Sequence, residues 1–286
     1  VNYAPLPNEL TDPLPSRIDL RLVVSDMDGT LMDGTRRVPA GFTDMAARMR
    51  SRGILFVPAS GRQLANLHHV LGDAIDDAPV IAENGALVKQ GATEIHSDTM
   101  SAADVATVVT TVRSLREQGY DGGAVMACKQ SAYIERADAR FITMCDTYYT
   151  ALAVVDDLLA LNRAEVLKVA VYDFGDAEEG SAAALGPAAP GLQTVVSGKH
   201  WTDIMPKAVS KGRALAAIQA RFGIAPAQTA VFGDYLNDLD LYDHAELSFA
   251  VANAHPRITA TARYRAPANT EDGVLRTIAE LLTRQG

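Results

Sequence analysis

Apolar positions along this chain fall into short continuous runs that alternate with helical periodicities. From Ile18 to Ser25 it reads IDLRLVVS, and the Leu22-Val23-Val24 centre is unbroken by polar residues, as in a parallel strand covered on both faces. Asp26 stands at the carboxyl end of that run. Pro39 opens a helical pattern with Phe42, Met45 and Met49 on one face, and Gly53 occupies the place of a C-terminal cap. The strand-like ILFVPAS follows and ends at Ser60-Gly61-Arg62; Leu64, Leu67 and Leu71 mark a further helix, and Val80-Ile81-Ala82 a third short strand. This β-α-β-α-β order predicts an α/β fold with a doubly wound parallel sheet.

Beyond Gly85 the rhythm changes. Ser101 with Asp104 three residues on signals a helix start, the strand-like AVMACKQSAYIER follows, and VLKVAVYDF comes after further helical segments. This stretch predicts a second α/β unit. The first rhythm resumes near Trp201, with a helix from Lys211 to Phe222 ended by Gly223, the strand Thr229-Ala230-Val231-Phe232 running into Gly233-Asp234, the strand LSFAVAN, and an amphipathic helix bearing Val274, Ile278, Leu281 and Leu282. The expected organisation is therefore an irregular arm over residues 1–17, a split core over 18–85 and 199–286, and an inserted α/β unit over 86–198. Pro5, Pro7, Pro13 and Pro15 account for the irregular arm.

A length of 286 residues suits two such units. Against 35 acidic residues there are 26 Lys and Arg, a net charge of −9, which argues against a nucleic-acid groove and for a small substrate. Cys128 and Cys145 are too few for a disulfide framework or a four-cysteine zinc site, so reduced thiols and a cytoplasmic location are expected. The first residues lack a basic start followed by an apolar run, and no signal peptide is expected. Gly186, Pro187, Pro190 and Gly191 break the longest uncharged stretch, Gly180 to Gly198, so no membrane insertion is expected either.

Four polar clusters stand where predicted core strands end or the next helix begins: Asp26-Met27-Asp28-Gly29-Thr30, Ser60-Gly61-Arg62, Ser210-Lys211-Gly212, and Gly233-Asp234 with Asn237-Asp238. The carboxyl ends of parallel strands form one rim where ligands bind, so these clusters can converge. If Asp26, Asp28, Asp234 and Asp238 do meet, each like-charge pair ~4 Å apart costs about 4 kcal/mol at an effective dielectric near 20. Oxygen-only ligands then call for a hard cation, Mg²⁺. The ion and Lys211 still leave four carboxylates in excess by one charge, so an anionic substrate is admitted only if Asp28 is protonated or one carboxylate lies outside the ion's coordination shell. Phosphoryl transfer suits this inventory better than acyl transfer, because no Gly-x-Ser-x-Gly elbow or reactive-cysteine signature is present. Asp26 is the candidate nucleophile and Asp28 the acid and then base for water, while Gly29 lets the backbone turn and Ser60 and Lys211 donate to phosphate oxygens.

The segments SDMDGTL, SGR, SKG and GDYLND resemble the four motifs of the haloacid dehalogenase superfamily of phosphatases. ENGA at 83–86, VSKGRAL, GDYLNDLDLY and EDGVLRTI are similar to the Cof-like hydrolases within it. The resemblance implies a Rossmann-type core with a large inserted α/β cap, and a Mg²⁺-dependent phosphatase acting through an aspartyl-phosphate on a small phosphorylated metabolite, sugar phosphates first. It implies that Asp26 is the nucleophile and a metal ligand, and that Asp28 is the acid/base and lends its backbone carbonyl to the metal. Asp234 would be the third protein ligand, Asp238 and Asn237 would support the metal, and Ser60 and Lys211 would hold the phosphate. The SGR and ENGA segments add Gly61, Arg62 and Asn84, with Gly29 and Asn237, to the substrate- and phosphate-binding candidates. Two alternatives remain at this stage: a phosphomutase of the same superfamily, and a non-enzymatic signalling module that accepts phosphate on Asp26. Oligomeric state is not legible.

Overall fold

The computed structural model describes residues 13–163 and 165–286. Most of the expected N-terminal arm lies outside the described residues; the rest of it forms neither helix nor strand. Arg284 Nη1 donates to the carbonyls of Leu14 and Pro15, and the Ile18 amide donates to the Arg284 carbonyl.

The chain divides into two compact units. The first contains the segment ending at Ser60, together with Val70–His96 and Ser210–Gly286; the second contains Gly61–His69 and Ser97–Val209.

In the first unit, β1 (Leu22–Asp26), β2 (Leu55–Ala59) and β3 (Pro79–Ala82) run parallel. All five residues of β1 are buried: the apolar run Leu22-Val23-Val24 as a doubly covered strand requires, and with it the polar Ser25 and Asp26. Helix α1 (Phe42–Arg50) joins β1 to β2 and buries Phe42, Met45 and Met49, with the Phe42 ring edge-on to Phe56 at 5.0 Å. Helix α2 (Leu64–Leu71) follows β2, and all of it but Val70 and Leu71 belongs to the second unit. Strands β4 (Leu87–Gln90) and β5 (Thr93–Ser97) extend the same sheet, β4 antiparallel to β3. The expected insertion boundary at residue 86 is thus corrected: residues 87–96 stay with the first unit, because β3 turns back on itself and keeps its hydrogen bonds in that sheet.

The second unit opens with α3 (Ala102–Glu117), whose Ser101 Oγ accepts from the Asp104 amide as the sequence signal requires. Its sheet holds β6 (Gly122–Cys128), β7 (Ala132–Ile134), β8 (Leu152–Val154), β9 (Val166–Asp173), β10 (Leu192–Gly198) and β11 (Trp201–Pro206), in the order β10-β11-β9-β6-β7-β8. The run AVMACKQSAYIER, expected as one strand, is a hairpin: Lys129 to Ser131 turn the chain, and Val125 pairs with Ile134. Ala124, Met126, Val169 and Val171 pack with Val105, Val108, Val109 and Val112 of α3. Val125, Ala127, Ala170 and Tyr172 pack instead with Phe141 and Cys145 of α4 (Ala139–Asp146). This is the two-residue alternation of a sheet covered on both faces. The short α5 (Ala183–Ala188) and β10 occupy the uncharged stretch, and among the described residues no helix is long and apolar enough to cross a membrane. The second expected boundary, at 199, also moves, because β11 pairs with β9 and β10 and draws residues 199–209 into this unit.

The first unit resumes at α6 (Lys211–Phe222), which Gly223 ends in the left-handed conformation at φ 61°. Strands β12 (Thr229–Gly233), β13 (Leu247–Val251) and β14 (Tyr264–Ala266) complete an eight-stranded sheet ordered β14-β13-β12-β1-β2-β3-β4-β5. Helices α7 (Pro256–Thr261) and α8 (Gly273–Thr283) pack on it. Strands are added on one side of β1 early in the chain and on the other side late, so the order reverses between β1 and β12, where such sheets bind ligands.

A Cβ at Gly273 would lie 1.9 Å from the Pro267 carbonyl oxygen, so α8 can start here only on glycine. Gly273→Ala should destabilise the protein by about 2 kcal/mol through overpacking, read as a lower urea midpoint with an unchanged m-value.

Candidate active site

The acidic cluster is built at the reversal point. Asp26 closes β1, and the chain then curls so that the Leu31 amide donates to the Asp26 carbonyl and the Met32 amide to Met27. Gly29 adopts φ 87°, and a Cβ there would lie 2.5 Å from Asp234 Oδ2. Both the backbone angle and the close approach exclude a side chain. Thr30 Oγ1 donates to Asp234 Oδ1 at 2.7 Å, joining the end of β1 to the end of β12.

Lys211 heads α6, whose N-terminus is capped by Ser210 Oγ accepting from the Arg213 amide. A cation in a helix's first turn opposes the helix dipole and needs anions nearby. Its ammonium finds two, donating to Asp26 Oδ1 at 2.5 Å and to Asp238 Oδ1 at 2.7 Å with a fully buried side chain. The other Asp238 oxygen accepts from the Asp234 and Tyr235 amides at 3.0 and 3.2 Å. Asp238 is thereby committed to holding the lysine and the turn.

Among the described residues, carboxylate oxygens of Asp26, Asp234 and Asp238 lie within 4.8 Å of one another. Burial, with repulsion from Asp238 and Asp234, raises the Asp26 carboxyl well above its usual range, although Lys211 pulls the other way. Burial and Asp238 push Asp234 up to about 6, against the Thr30 hydrogen bond and Lys211. Burial works against the Lys211 charge, yet Asp238 and Asp26 outweigh it and raise that amine's pKa. Two buried carboxylates, the half-buried Asp234 and one ammonium leave the cluster short of positive charge. An all-oxygen donor set of this kind fits a hard divalent ion.

The structure gathers Asp26, Gly29, Lys211, Asp234 and Asp238 in one unit. The Asp28 side chain is exposed and outside the three-carboxylate group. Ser60 follows β2, almost fully buried, and its carbonyl accepts from the Asn84 amide at 2.9 Å. Asn237 Nδ2 donates to Asn84 Oδ1 at 3.2 Å. Gly61 and Arg62 group instead with the second unit: the Gly61 carbonyl accepts from Lys168 Nζ, and Arg62 donates to Asn66 one helical turn on.

Two positioning residues escaped the sequence reading. Asn253 Nδ2 donates to the Gly29 carbonyl at 2.8 Å, and Asn269 Nδ2 to that of Met32 at 2.8 Å, so both brace the loop after β1. Asn253 follows β13 on the same rim as the other clusters, and that placement was the available signal.

Residues 23–278 match the family described as haloacid dehalogenase-like hydrolase. A 5-amino-6-(5-phospho-D-ribitylamino)uracil phosphatase of Escherichia coli is 28% identical over 280 residues, covering 94% of this chain and 98% of the relative. A phosphoglycolate phosphatase of Methanoculleus marisnigri is 25% identical, with 91% and 95% covered. The solved structure of a haloacid dehalogenase-like hydrolase from Bacteroides thetaiotaomicron superposes with a TM-score of 0.81 at 20% identity, covering 92% of this chain and 99% of that one. The doubly wound sheet carries its acidic cluster at the reversal point, where folds of this class bind ligands. The chain belongs to the haloacid dehalogenase-like hydrolases, as a Cof-like phosphatase that hydrolyses phosphomonoesters.

Removing the Lys211 charge leaves Asp26 and Asp238 buried without their counter-ion. Lys211→Met should therefore cost about 3–5 kcal/mol of stability, measured by urea unfolding in the presence of a chelator.

Proposed function

We propose that this protein is a Mg²⁺-dependent phosphatase of small phosphorylated metabolites, working through a phosphoryl group carried on Asp26. The observation that carries this reading is the buried Lys211 ammonium shared by Asp26 and Asp238. Its charge favours the ionised form of Asp26, against the burial and neighbouring carboxylates that raise that carboxyl.

Asp26 and Asp234 would hold the ion, with the Asp28 backbone carbonyl; when bound, the ion supplies positive charge toward the phosphoryl oxygens and balances the cluster. With Asp28 outside the three-carboxylate group, the ion and Lys211 would cancel the three carboxylate charges, so that a phosphate anion can enter. The Asp26 oxygen attacks phosphorus as the ester P–O bond breaks, and Asp28 delivers a proton to the leaving oxygen. Asp28 then takes a proton from water as the water oxygen attacks phosphorus. Inorganic phosphate leaves and the Asp26 carboxylate is restored. Its exposure suits Asp28 to exchanging protons with substrate and water. The Ser60 hydroxyl, the Gly29 backbone and Lys211 would steady the transferring oxygens.

The first unit would be the catalytic core and the second, most of it inserted between β5 and α6, the cap domain. Sugar phosphates and related polyol phosphates are the proposed substrates, in keeping with the phospho-D-ribityl group in the name of the E. coli relative. Two buried cysteines outside any disulfide suit a reducing cytoplasm.

A phosphate-release screen over sugar phosphates, polyol phosphates, nucleotides and pyridoxal phosphate, with and without Mg²⁺, tests the reading. Release should require Mg²⁺ and be greatest with sugar or polyol phosphates. Transfer to a second hydroxyl without free phosphate would mark a mutase, and a phospho-Asp26 lasting minutes a signalling module. Asp26→Asn should lower turnover by about 10³-fold or more with the fold retained by circular dichroism. Ca²⁺ should fail to replace Mg²⁺, because it favours looser and higher coordination; equal rates with calcium would contradict the assignment.

A further inference from the structure

The turn Glu83-Asn84-Gly85 joins β3 to β4 through three successive residues at positive φ, 51°, 57° and 99°. Such angles suit glycine and, among other residues, mainly asparagine and aspartate. The turn reaches three of the segments that build the acidic site. The Asn84 amide donates to the Ser60 carbonyl at 2.9 Å. Gly85 lies so close to the start of α6 that a Cβ would fall 2.2 Å from the Ser210 carbonyl oxygen and 3.0 Å from the Lys211 backbone nitrogen. Asn84 Oδ1 accepts from Asn237 Nδ2 at 3.2 Å, and Asn84 is buried.

Asn237 directly precedes Asp238, which binds Lys211 through one oxygen and the Asp234 and Tyr235 amides through the other. We infer that Asn84 is a positioning residue: its amide oxygen, aimed by the left-handed turn, clasps Asn237 and so fixes the 234–238 segment in the arrangement that accepts the divalent ion. This inference rests on the metal reading proposed above and assigns Asn84 a part in forming the ion site rather than a contact with substrate phosphate. An asparagine is needed because the position demands both a left-handed backbone and a side-chain acceptor. Glycine would meet the first demand and fail the second.

Asn84→Gly is therefore the discriminating substitution, since it suits the backbone and deletes only the amide. Mg²⁺ affinity is measured by calorimetry on the full chain without substrate, for the wild type, Asn84→Gly, Asn237→Ala, the double variant, and Asp234→Asn as a control. Loss of a group that supports metal ligands typically weakens metal binding 10–100-fold. Asn84→Gly and Asn237→Ala should each weaken Mg²⁺ by about 10-fold, at the low end of that range. The double variant should be no weaker than either single one. Wild-type Mg²⁺ affinity in Asn84→Gly, alongside lost affinity in Asp234→Asn, overturns the inference. So does a further 10-fold loss when Asn84→Gly is added to Asn237→Ala, or a raised KM with unchanged Mg²⁺ affinity. A wild-type chain that binds no Mg²⁺ overturns instead the metal reading on which the inference rests.

Discussion

A lysine ammonium cut off from water must keep its counter-ions within hydrogen-bond reach, and Lys211 meets this condition through Asp26 and Asp238. The end of β1, the start of α6 and the turn after β12 must therefore meet at one point. Their backbones approach closely enough that side chains are excluded. A Cβ at Gly212 would lie 2.4 Å from the Asp240 carbonyl oxygen, and one at Gly233 would lie 2.6 Å from Asp238 Cβ. The glycines of the SKG and GDYLND segments are thus the steric counterpart of the charge arrangement.

Four acidic residues around one divalent ion and Lys211 would be one charge too many. The structure resolves this by geometry. Asp238 is held by Lys211 and two backbone amides, Asp234 by Thr30, and the exposed Asp28 side chain lies outside the three-carboxylate group. Each carboxylate thus has a different neighbourhood, and a difference in neighbourhood is what separates acid, base and ligand among chemically identical groups.

Elements set by local pattern were legible in the chain. Helix α6 begins at Lys211 and ends before Gly223 as its cap signals indicate, and β1 and β12 carry the unbroken apolar runs of doubly covered strands. What local pattern could not give was the partner of each strand. Strands β4 and β5 follow a predicted turn and β11 precedes a predicted core helix, so neither flank shows which sheet they join; hydrogen bonding to β3 and to β9 decides it. The hairpin of β6 and β7 was hidden because Lys129-Gln130-Ser131 contains neither glycine nor proline. In the site, the DxDGT, SKG and GDYLND residues were readable from their types and placement. Asn253 and Asn269 were not, because a lone asparagine bracing a distant carbonyl leaves no spacing to detect.

The two units have separate hydrophobic interiors. Leu22, Val57 and Ile218 belong to one, while Val109, Val171 and Phe141 belong to clusters in the other. A lineage can therefore remodel the inserted unit through many generations without disturbing the packing beneath Asp26 and Lys211. Such a division of heritable change would let one ancestral chemistry diversify across many molecules while its reacting groups stay fixed.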